Sequence, residues 1–200
     1  LYDRAVCPIP GWPGVLCLAT DSGLLHVNVT ISSGFRLMNE STTAFGVENA
    51  TDSIAIFDQL GIRFAYPASW TVEVSDDGSR TTVNLYSRGS GFAFVTLDDD
   101  RPDPQDVADE ALQAMREEYP ALDATPSSSS GPDPEHMAGQ PVVGHDLEFF
   151  SLDIITQCLI RCCRTPRRTL LLFAQWSDWD DEELQFGGIL QALRTTLVEN

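Results

Sequence analysis

The chain of 200 residues contains no lysine, so all 12 of its basic residues are arginine. Without lysine there is no Schiff-base nucleophile, no phosphate loop of the Walker-A type and no Ser-x-x-Lys nucleophile. Only three histidines occur, and none lies at metal-ligand spacing from another histidine or a cysteine: His26, His136 and His145. A Gly-x-Ser-x-Gly nucleophile elbow is also absent. We therefore predict no metal site and no cofactor, and the sequence nominates no catalytic residue.

Long apolar runs are absent as well. A stretch such as Leu170–Ala174 falls far short of the roughly 20 apolar residues that a membrane-spanning helix needs, so no span is predicted. With 30 acidic against 12 basic residues, the formal net charge is -18. A surface of that sign repels phosphate backbones, which argues against a nucleic-acid partner.

The five cysteines form an odd set: Cys7, Cys17, Cys158, Cys162 and Cys163. Disulfide-stabilised secreted domains more often carry an even and dispersed set. No basic segment followed by an apolar one opens the chain, so no secretory signal is predicted. We expect a cytoplasmic location, with an envelope or secreted location as the alternative if an upstream signal was removed.

Residues 1–57 differ in composition from the rest of the chain and are predicted to form an N-terminal extension. Two β-prone runs, Val15–Ala19 and Leu24–Ile31, flank a turn at residues 20–23 and indicate a hairpin. A polar linker follows at residues 32–53. Residues 58–200 are predicted to form the main domain.

Within the main domain, alternating patterns at 62–66, 70–74, 81–86 and 92–97 indicate four short strands. The tight connections between them favour antiparallel pairing. Asp103 and Pro104 are typical of a helix N-terminus, and Pro120 ends the helix. Its apolar face is predicted to comprise Val107, Ala108, Ala111, Leu112, Met115 and Tyr119. Residues 124–136, rich in serine and proline, are predicted to form an exposed loop.

A second block of strands is predicted at 142–150, 154–163 and 168–176, followed by a C-terminal helix capped by Asp178 or Asp180. The Gly187-Gly188 pair inside that helix indicates either close packing against the sheet or a kink. The predicted order is ββββ-α-βββ-α. This order is typical of an α+β fold in which helices flank an antiparallel sheet.

Several motifs of the main domain carry a family resemblance. Phe64, Tyr66, Pro67 and Trp70 form a Phe-x-Tyr-Pro-x-x-Trp pattern, and Ala138–Pro141 reads Ala-Gly-Gln-Pro. With the acid-led C-terminal helix, these residues resemble the PsbP-like superfamily in its bacterial DcrB-like branch, over residues 58–197. The resemblance implies an antiparallel sheet with packed helices, a protein-binding role and no shared catalytic residues. The lipobox cysteine of envelope lipoproteins is missing.

The closely spaced thiols at Cys158, Cys162 and Cys163 allow two interpretations. If the segment is a strand, Cys162 and Cys163 point to opposite faces, and Cys158 lies about 13 Å from Cys162. That separation is too long for a disulfide or a shared metal ion. The favoured interpretation is structural, partly buried thiols. The alternative is an enzyme that uses Cys158 or Cys162 as a nucleophile.

An unusual concentration of positive charge surrounds the turn at Thr165-Pro166, formed by Arg161, Arg164, Arg167 and Arg168. We call these residues the arginine turn. The favoured interpretation is ion pairing with the acids of a neighbouring helix, the one that starts at Asp103. The alternative is a site for an anion or an acidic partner, because arginine forks grip carboxylates and phosphates.

Trp176 and Trp179 precede the last helix, and they are either core anchors or an aromatic contact surface. Together these patterns favour a non-enzymatic protein-binding module, chaperone-like or adaptor-like, with an unidentified protein partner. A homodimer is a further expectation. The candidate contact residues are the arginine turn with Trp176 and Trp179.

Overall fold

The computed structural model describes residues 54–87, 89, 91–127, 135–151, 154–177 and 183–199, together with the backbone of two short N-terminal strands. Of residues 183–187 only the backbone is described. The strands are β1 (Val6–Pro8), β2 (Leu16–Leu18), β3 (Ile54–Gln59), β4 (Ile62–Pro67), β5 (Thr71–Asp76), β6 (Arg80–Tyr86), β7 (Phe92–Asp98), β8 (Asp123–Pro126), β9 (His136–Met137), β10 (Gln140–Pro141), β11 (Val143–Ser151), β12 (Ile154–Arg164), β13 (Thr169–Ser177) and β14 (Val198–Glu199). The helices are α1 (Pro104–Glu118) and α2 (Glu183–Thr196).

A seven-stranded antiparallel sheet in the order β5-β6-β7-β13-β12-β11-β8 forms the centre of the fold. A three-stranded sheet, β14-β4-β3, lies beside it, and β9 pairs with β10. The predicted antiparallel α+β class is therefore confirmed. Alternation along the strands produces two separate hydrophobic clusters, one on each face of the large sheet.

Helix α1 covers one face of the large sheet. Asp103 is its N-cap, and its carboxylate accepts a hydrogen bond from the backbone N–H of Gln105. The apolar face predicted from the sequence is buried, and Tyr119 stacks on Phe149 with ring centroids 4.1 Å apart. The helix ends at Glu118, before Pro120, as the sequence predicts.

The opposite face packs against the small sheet and α2. Phe57, Ile62 and Phe64 from the small sheet and Leu190, Leu193 and Leu197 from the α2 end meet the core side chains of β6, β7 and β13 in one cluster. Trp70 is buried here, and Tyr66 packs against the same cluster, as predicted. The core thus runs from Phe57 to Leu197.

The predicted order ββββ-α-βββ-α is not confirmed, because the structure contains further strands. β3 precedes the four predicted strands and spans the expected domain boundary at residue 58. The segment predicted as a loop at 124–136 begins and ends with strand residues, in β8 and β9. β14 follows α2.

Two sequence predictions fall partly on residues that the structure does not describe. β2 lies within the predicted strand 15–19, but it pairs with β1, and residues 24–31 and the linker 32–53 lie outside the described residues. The caps proposed for the last helix, Asp178 and Asp180, also lie outside them. The expectation of close packing is wrong for Gly188, where an added Cβ would meet nothing within 4 Å.

Candidate functional site

A row of side chains crosses four neighbouring strands on the face of the large sheet that also carries α2. The register aligns Asp123 of β8 with Glu148 of β11, Glu148 with Gln157 of β12, and Gln157 with Trp176 of β13. Residues directly opposite each other in antiparallel strands share a face, and neighbouring strands lie about 4.8 Å apart. The four side chains therefore form one continuous row.

The flanking rows extend this surface along the strands. On one side Thr125 lies opposite Asp146, and on the other side Phe150 lies opposite Ile155. We call the combined surface the acidic sheet face, comprising Asp123, Thr125, Asp146, Glu148, Phe150, Ile155, Gln157 and Trp176. It combines three carboxylates with two aromatic rings and one aliphatic side chain.

A cleft of about 450 Å³ opens on the acidic sheet face. The three carboxylates of Asp123, Asp146 and Glu148 line it together with Gln157 and Trp176. Asp123, Asp146 and Glu148 are exposed, whereas Gln157 and Trp176 are half-buried. The cleft therefore offers negative charge beside a partly covered aromatic ring, an arrangement suited to a cationic group.

Two of these carboxylates, Asp123 and Glu148, form a like-charge pair directly across the β8–β11 ladder. Such a pair destabilises a sheet, because the side chains are held close together by the backbone register. Within the part of the chain that the structure describes, neither carboxylate forms an ion pair or a hydrogen bond with another side chain. A bound cation would relieve their repulsion.

Apolar surface continues from the carboxylates. Phe150 is 73% exposed and its cross-strand neighbour Ile155 is 37% exposed. Phe150 follows Glu148 by two residues on the same strand, so the ring lies about 7 Å along the face from that carboxylate. An exposed phenylalanine beside a polar cleft is typical of a protein contact surface.

The third carboxylate, Asp146, bonds to Arg161, which lies on the same face of the sheet, on the neighbouring strand. The Arg161 guanidinium, which is 6% exposed, donates to Asp146 at 2.7 Å and to Glu135 at 2.5 Å. It also donates to the backbone carbonyls of His145 and Ile160, both at 3.0 Å. Glu135 in turn pairs with Arg194 of α2, so this network ties the face to the helix.

Glycine at position 144 permits this arrangement. Gly144 is the cross-strand neighbour of Arg161, and a Cβ there would lie 1.9 Å from the carbonyl oxygen of Ile160. The two strands therefore approach each other more closely than any side chain at position 144 would allow. Only glycine fits this position without moving the backbone.

The arginine turn lies at the far end of the same strands. From the Gln157–Trp176 pair to the Arg164–Thr169 pair is seven residues, or about 23 Å. The structure therefore separates Trp176 from Arg164, Arg167 and Arg168, whereas Arg161 bonds to Asp146, which lines the cleft together with Trp176. Trp179 lies outside the described residues. The predicted contact residues do not converge on one site among the residues that are described.

Acidic groups and backbone carbonyls surround the arginines of this turn. Arg164 lies 3.5 Å from Asp103, the helix cap that the ion-pair interpretation named. Arg168 lies 3.3 Å from Asp99 and 3.4 Å from Glu199, and it donates to the Leu60 carbonyl at 3.0 Å. Arg167 is exposed. Much of the positive charge is therefore balanced within the domain.

The thiols lie in the core. The segment is a strand, as predicted, so Cys158 and Cys162 face α1 while Cys163 faces α2. All three are free and buried. Burial raises the pKa of the Cys162 thiol far above its ordinary value and that of Cys163 to about 12. A nucleophilic cysteine needs an accessible thiolate, so this geometry opposes the thiol-enzyme alternative.

Three further features of the described part of the chain concern a histidine contact, metal ligands and membrane spans. His145 lies within hydrogen-bond distance of Asp109 of α1, at 3.0 Å, and this contact links the helix to β11. No group of three or more His, Cys, Asp or Glu side chains that could hold a metal ion occurs among the described residues. Neither described helix combines the length and apolar character needed to cross a membrane.

Comparison with known proteins identifies the architecture. No protein-family model matches the sequence, and no curated protein matches it. The solution structure of cyanobacterial PsbP (CyanoP) from Synechocystis superposes with a TM-score of 0.51 at 13% identity, covering 80% of this chain and 98% of that one. The chain has the PsbP-like fold.

Two further solved structures superpose with lower TM-scores. LpqN of Mycobacterium tuberculosis, which is involved in cell envelope biogenesis, gives 0.38 at 11% identity and covers 74% of this chain and 91% of its own. The PA94 protein of Pseudomonas aeruginosa, of unknown function, gives 0.37 at 10% identity and covers 71% and 94%. The PsbP-like fold agrees with the predicted resemblance, and assignment to the DcrB-like branch stays a prediction.

The acidic sheet face was not predicted from the sequence. One signal was available: Asp146, Glu148 and Phe150 alternate within a strand that was predicted, so they had to share a face. The contribution of Asp123 was hidden, because its segment was assigned to a loop. The row to Trp176 depends on the register of four strands, which no local pattern specifies.

Proposed function

We propose that this PsbP-like domain is a non-enzymatic protein-binding module that holds a segment of its partner on the acidic sheet face. The observation that carries the proposal is the cleft of about 450 Å³ between carboxylates and Trp176, continued by the exposed ring of Phe150. Hot spots of protein interfaces are enriched in aromatic residues that can be desolvated on binding. Phe150 and Trp176 supply such groups, and the carboxylates supply orientation.

The buried thiols support a binding role over catalysis. Cys158 and Cys162 lie beneath α1, on the opposite face of the sheet from the acidic sheet face. Cys158 is one of the residues that line the cleft, but its side chain is buried in the cluster beneath α1, and Cys162 is buried there as well. A chaperone-like or adaptor role, a homodimer and a cytoplasmic location all stay predictions, as does binding of an acidic partner at the arginine turn.

Site-specific photo-crosslinking tests the proposal. A photoreactive amino acid replaces Phe150 in one variant and Val74 in another, and both are expressed in the native organism. Val74 is the matched control, because it is an exposed strand residue (48%) on β5, at the opposite edge of the large sheet. We expect one protein to be captured from position 150 and not from position 74.

The captured protein is then purified and its affinity is measured by calorimetry. We expect Phe150→Ser to weaken binding about tenfold or more, the loss of a buried aromatic contact, while Val74→Ser retains wild-type affinity. Equal affinity of the two variants, or capture of the same proteins from both positions, refutes binding through this face.

A further inference from the structure

We infer that the acidic sheet face recognises a basic, partly apolar segment, in which an arginine or lysine enters the cleft and an apolar side chain two residues away covers Phe150. This inference rests on the proposed function and adds the chemistry of the partner. It follows from three features of the face: its charge, its aromatic wall and the spacing between its rows.

The negative charge of the acidic sheet face favours a positively charged partner segment. Asp123 and Glu148 oppose each other across the ladder, and among the described residues no cation neutralises them. Asp146 lies one row away, already bonded to Arg161. A cationic side chain placed between Asp123 and Glu148 converts their repulsion into two attractive contacts. A neutral segment would leave the like-charge pair in place while removing water from it, which costs free energy.

The aromatic wall favours the same chemistry. Trp176 lies in the same row as the two carboxylates, beyond Gln157. Trp176 lies two strands from Glu148, about 10 Å, so its ring adds attraction for cations in the cleft but does not stack on the group between Asp123 and Glu148. Arginine suits the position between the carboxylates best, because its planar guanidinium can form two hydrogen bonds to a carboxylate.

The spacing of the face selects the pattern of the partner. Glu148 and Phe150 are two residues apart on β11, about 7 Å. An extended partner segment running along β11 repeats its side chains at that same distance on one face. A basic residue above Glu148 therefore puts the residue two positions away above Phe150 and Ile155. The expected motif is a basic residue, any residue, then an apolar residue.

Synthetic peptides test this inference without the natural partner. The probe is a short fluorescein-labelled peptide in which arginine and leucine are separated by one serine. In the first control peptide, citrulline replaces arginine and removes the charge while keeping the shape. In the second, leucine directly follows arginine, which breaks the spacing. Binding is measured by fluorescence anisotropy at two salt concentrations.

We expect the arginine–serine–leucine peptide to bind about tenfold tighter than the citrulline peptide, and more weakly at higher salt. The Asp123→Asn/Glu148→Gln double variant should lose most of that preference. The matched control is Glu110→Gln/Glu118→Gln, which removes the same charge from the exposed surface of α1, on the other side of the sheet. It should change affinity less than about twofold, because screening limits long-range effects.

Three results would overturn the inference. Equal binding of the citrulline peptide assigns the face to apolar partners. Equal weakening by the α1 variant assigns the binding to the general negative charge of the protein. Failure of every peptide to bind, while a protein is still captured from position 150, removes the basic motif but leaves the proposed function standing.

Discussion

Replacing Gly144 with alanine should destabilise the domain far more than its small change in size suggests. The added Cβ would lie 1.9 Å from the carbonyl oxygen of Ile160 and 3.2 Å from the Cα of Arg161. Both are backbone atoms of β12, so no side-chain rotation can relieve the contact. The strands must separate at the point where Arg161 holds Asp146.

The expected cost has two parts. Overpacking of a rigid site costs about 1–3 kcal/mol. Moving the strand also disturbs the hydrogen bonds from the Arg161 guanidinium to the carbonyl oxygens of His145 and Ile160, and a charged hydrogen bond contributes about 1.5–3 kcal/mol. The free energy of unfolding should therefore fall by roughly 2.5–6 kcal/mol, a large share of the 5–15 kcal/mol typical of a domain.

Gly188→Ala is the matched control, because the same chemical change meets open space there. Gly188 lies within α2, where alanine is favoured over glycine by about 1 kcal/mol. Urea unfolding followed by circular dichroism measures both variants. The midpoint should fall sharply for Gly144→Ala and rise slightly for Gly188→Ala. A Gly144→Ala protein within about 0.5 kcal/mol of wild type would refute the close approach of β11 and β12.

Three further predictions test the contacts around the site. Arg161→Leu should cost about 1.5–3 kcal/mol of unfolding free energy, because it removes a buried guanidinium that donates to the carbonyl oxygens of His145 and Ile160 and pairs with Asp146. Arg164→Leu at a more exposed pair should cost less than about 1 kcal/mol, and equal losses in urea unfolding would contradict this ranking. Asp103→Ala should lower the unfolding free energy by about 1 kcal/mol, because it removes the side chain that caps α1, whereas Asp103→Asn should retain most of that stability. A large loss of stability in the asparagine variant would assign the effect to the charge of Asp103 instead. Burial raises the folded pKa of Cys163 to about 12 and raises that of Cys162 as well. The stability that their protonated thiols contribute is complete below the unfolded pKa near 9 and is lost as the pH rises toward the folded values. The unfolding free energy should therefore decline from pH 8 to 11, and it should decline less steeply in the Cys162→Ala and Cys163→Ala variants.

Local sequence signals were sufficient for the elements with strong periodicity. The cap at Asp103, Pro104 and the apolar spacing through Met115 defined α1 within a residue at each end. The β-prone run Ile154-Ile155-Thr156 and the turn at Pro166 predicted β12, and the two-residue period of a strand placed Cys162 and Cys163 on opposite faces. In each case the determinant is local backbone geometry, which neighbouring residues specify without any knowledge of the tertiary fold.

The weaker strands escaped prediction for a physical reason. β8 is an edge strand of four residues, and three of them are polar or proline, so its stability comes from pairing with β11 rather than from its own pattern. β3 begins with the apolar run Ile54–Phe57, which was assigned to the N-terminal extension, and it pairs with β4 across a two-residue turn. A contact between distant segments thus decided β8, whereas β3 forms a local hairpin that the sequence interpretation missed.

The candidate site also depends partly on local sequence and partly on tertiary contacts. The sequence by itself determined an acidic α+β domain without lysine, the helix α1, most strands of the large sheet and buried thiols. Only the tertiary structure aligned Asp123, Glu148, Gln157 and Trp176, because that row depends on the register of four strands. The tertiary structure also separated Trp176 from Arg164, Arg167 and Arg168 by about seven residues of β12 and β13, and it paired Arg161 with Asp146 and Glu135. Residue types and local patterns follow from the chain, whereas the grouping of charges into a site depends on which strands become neighbours.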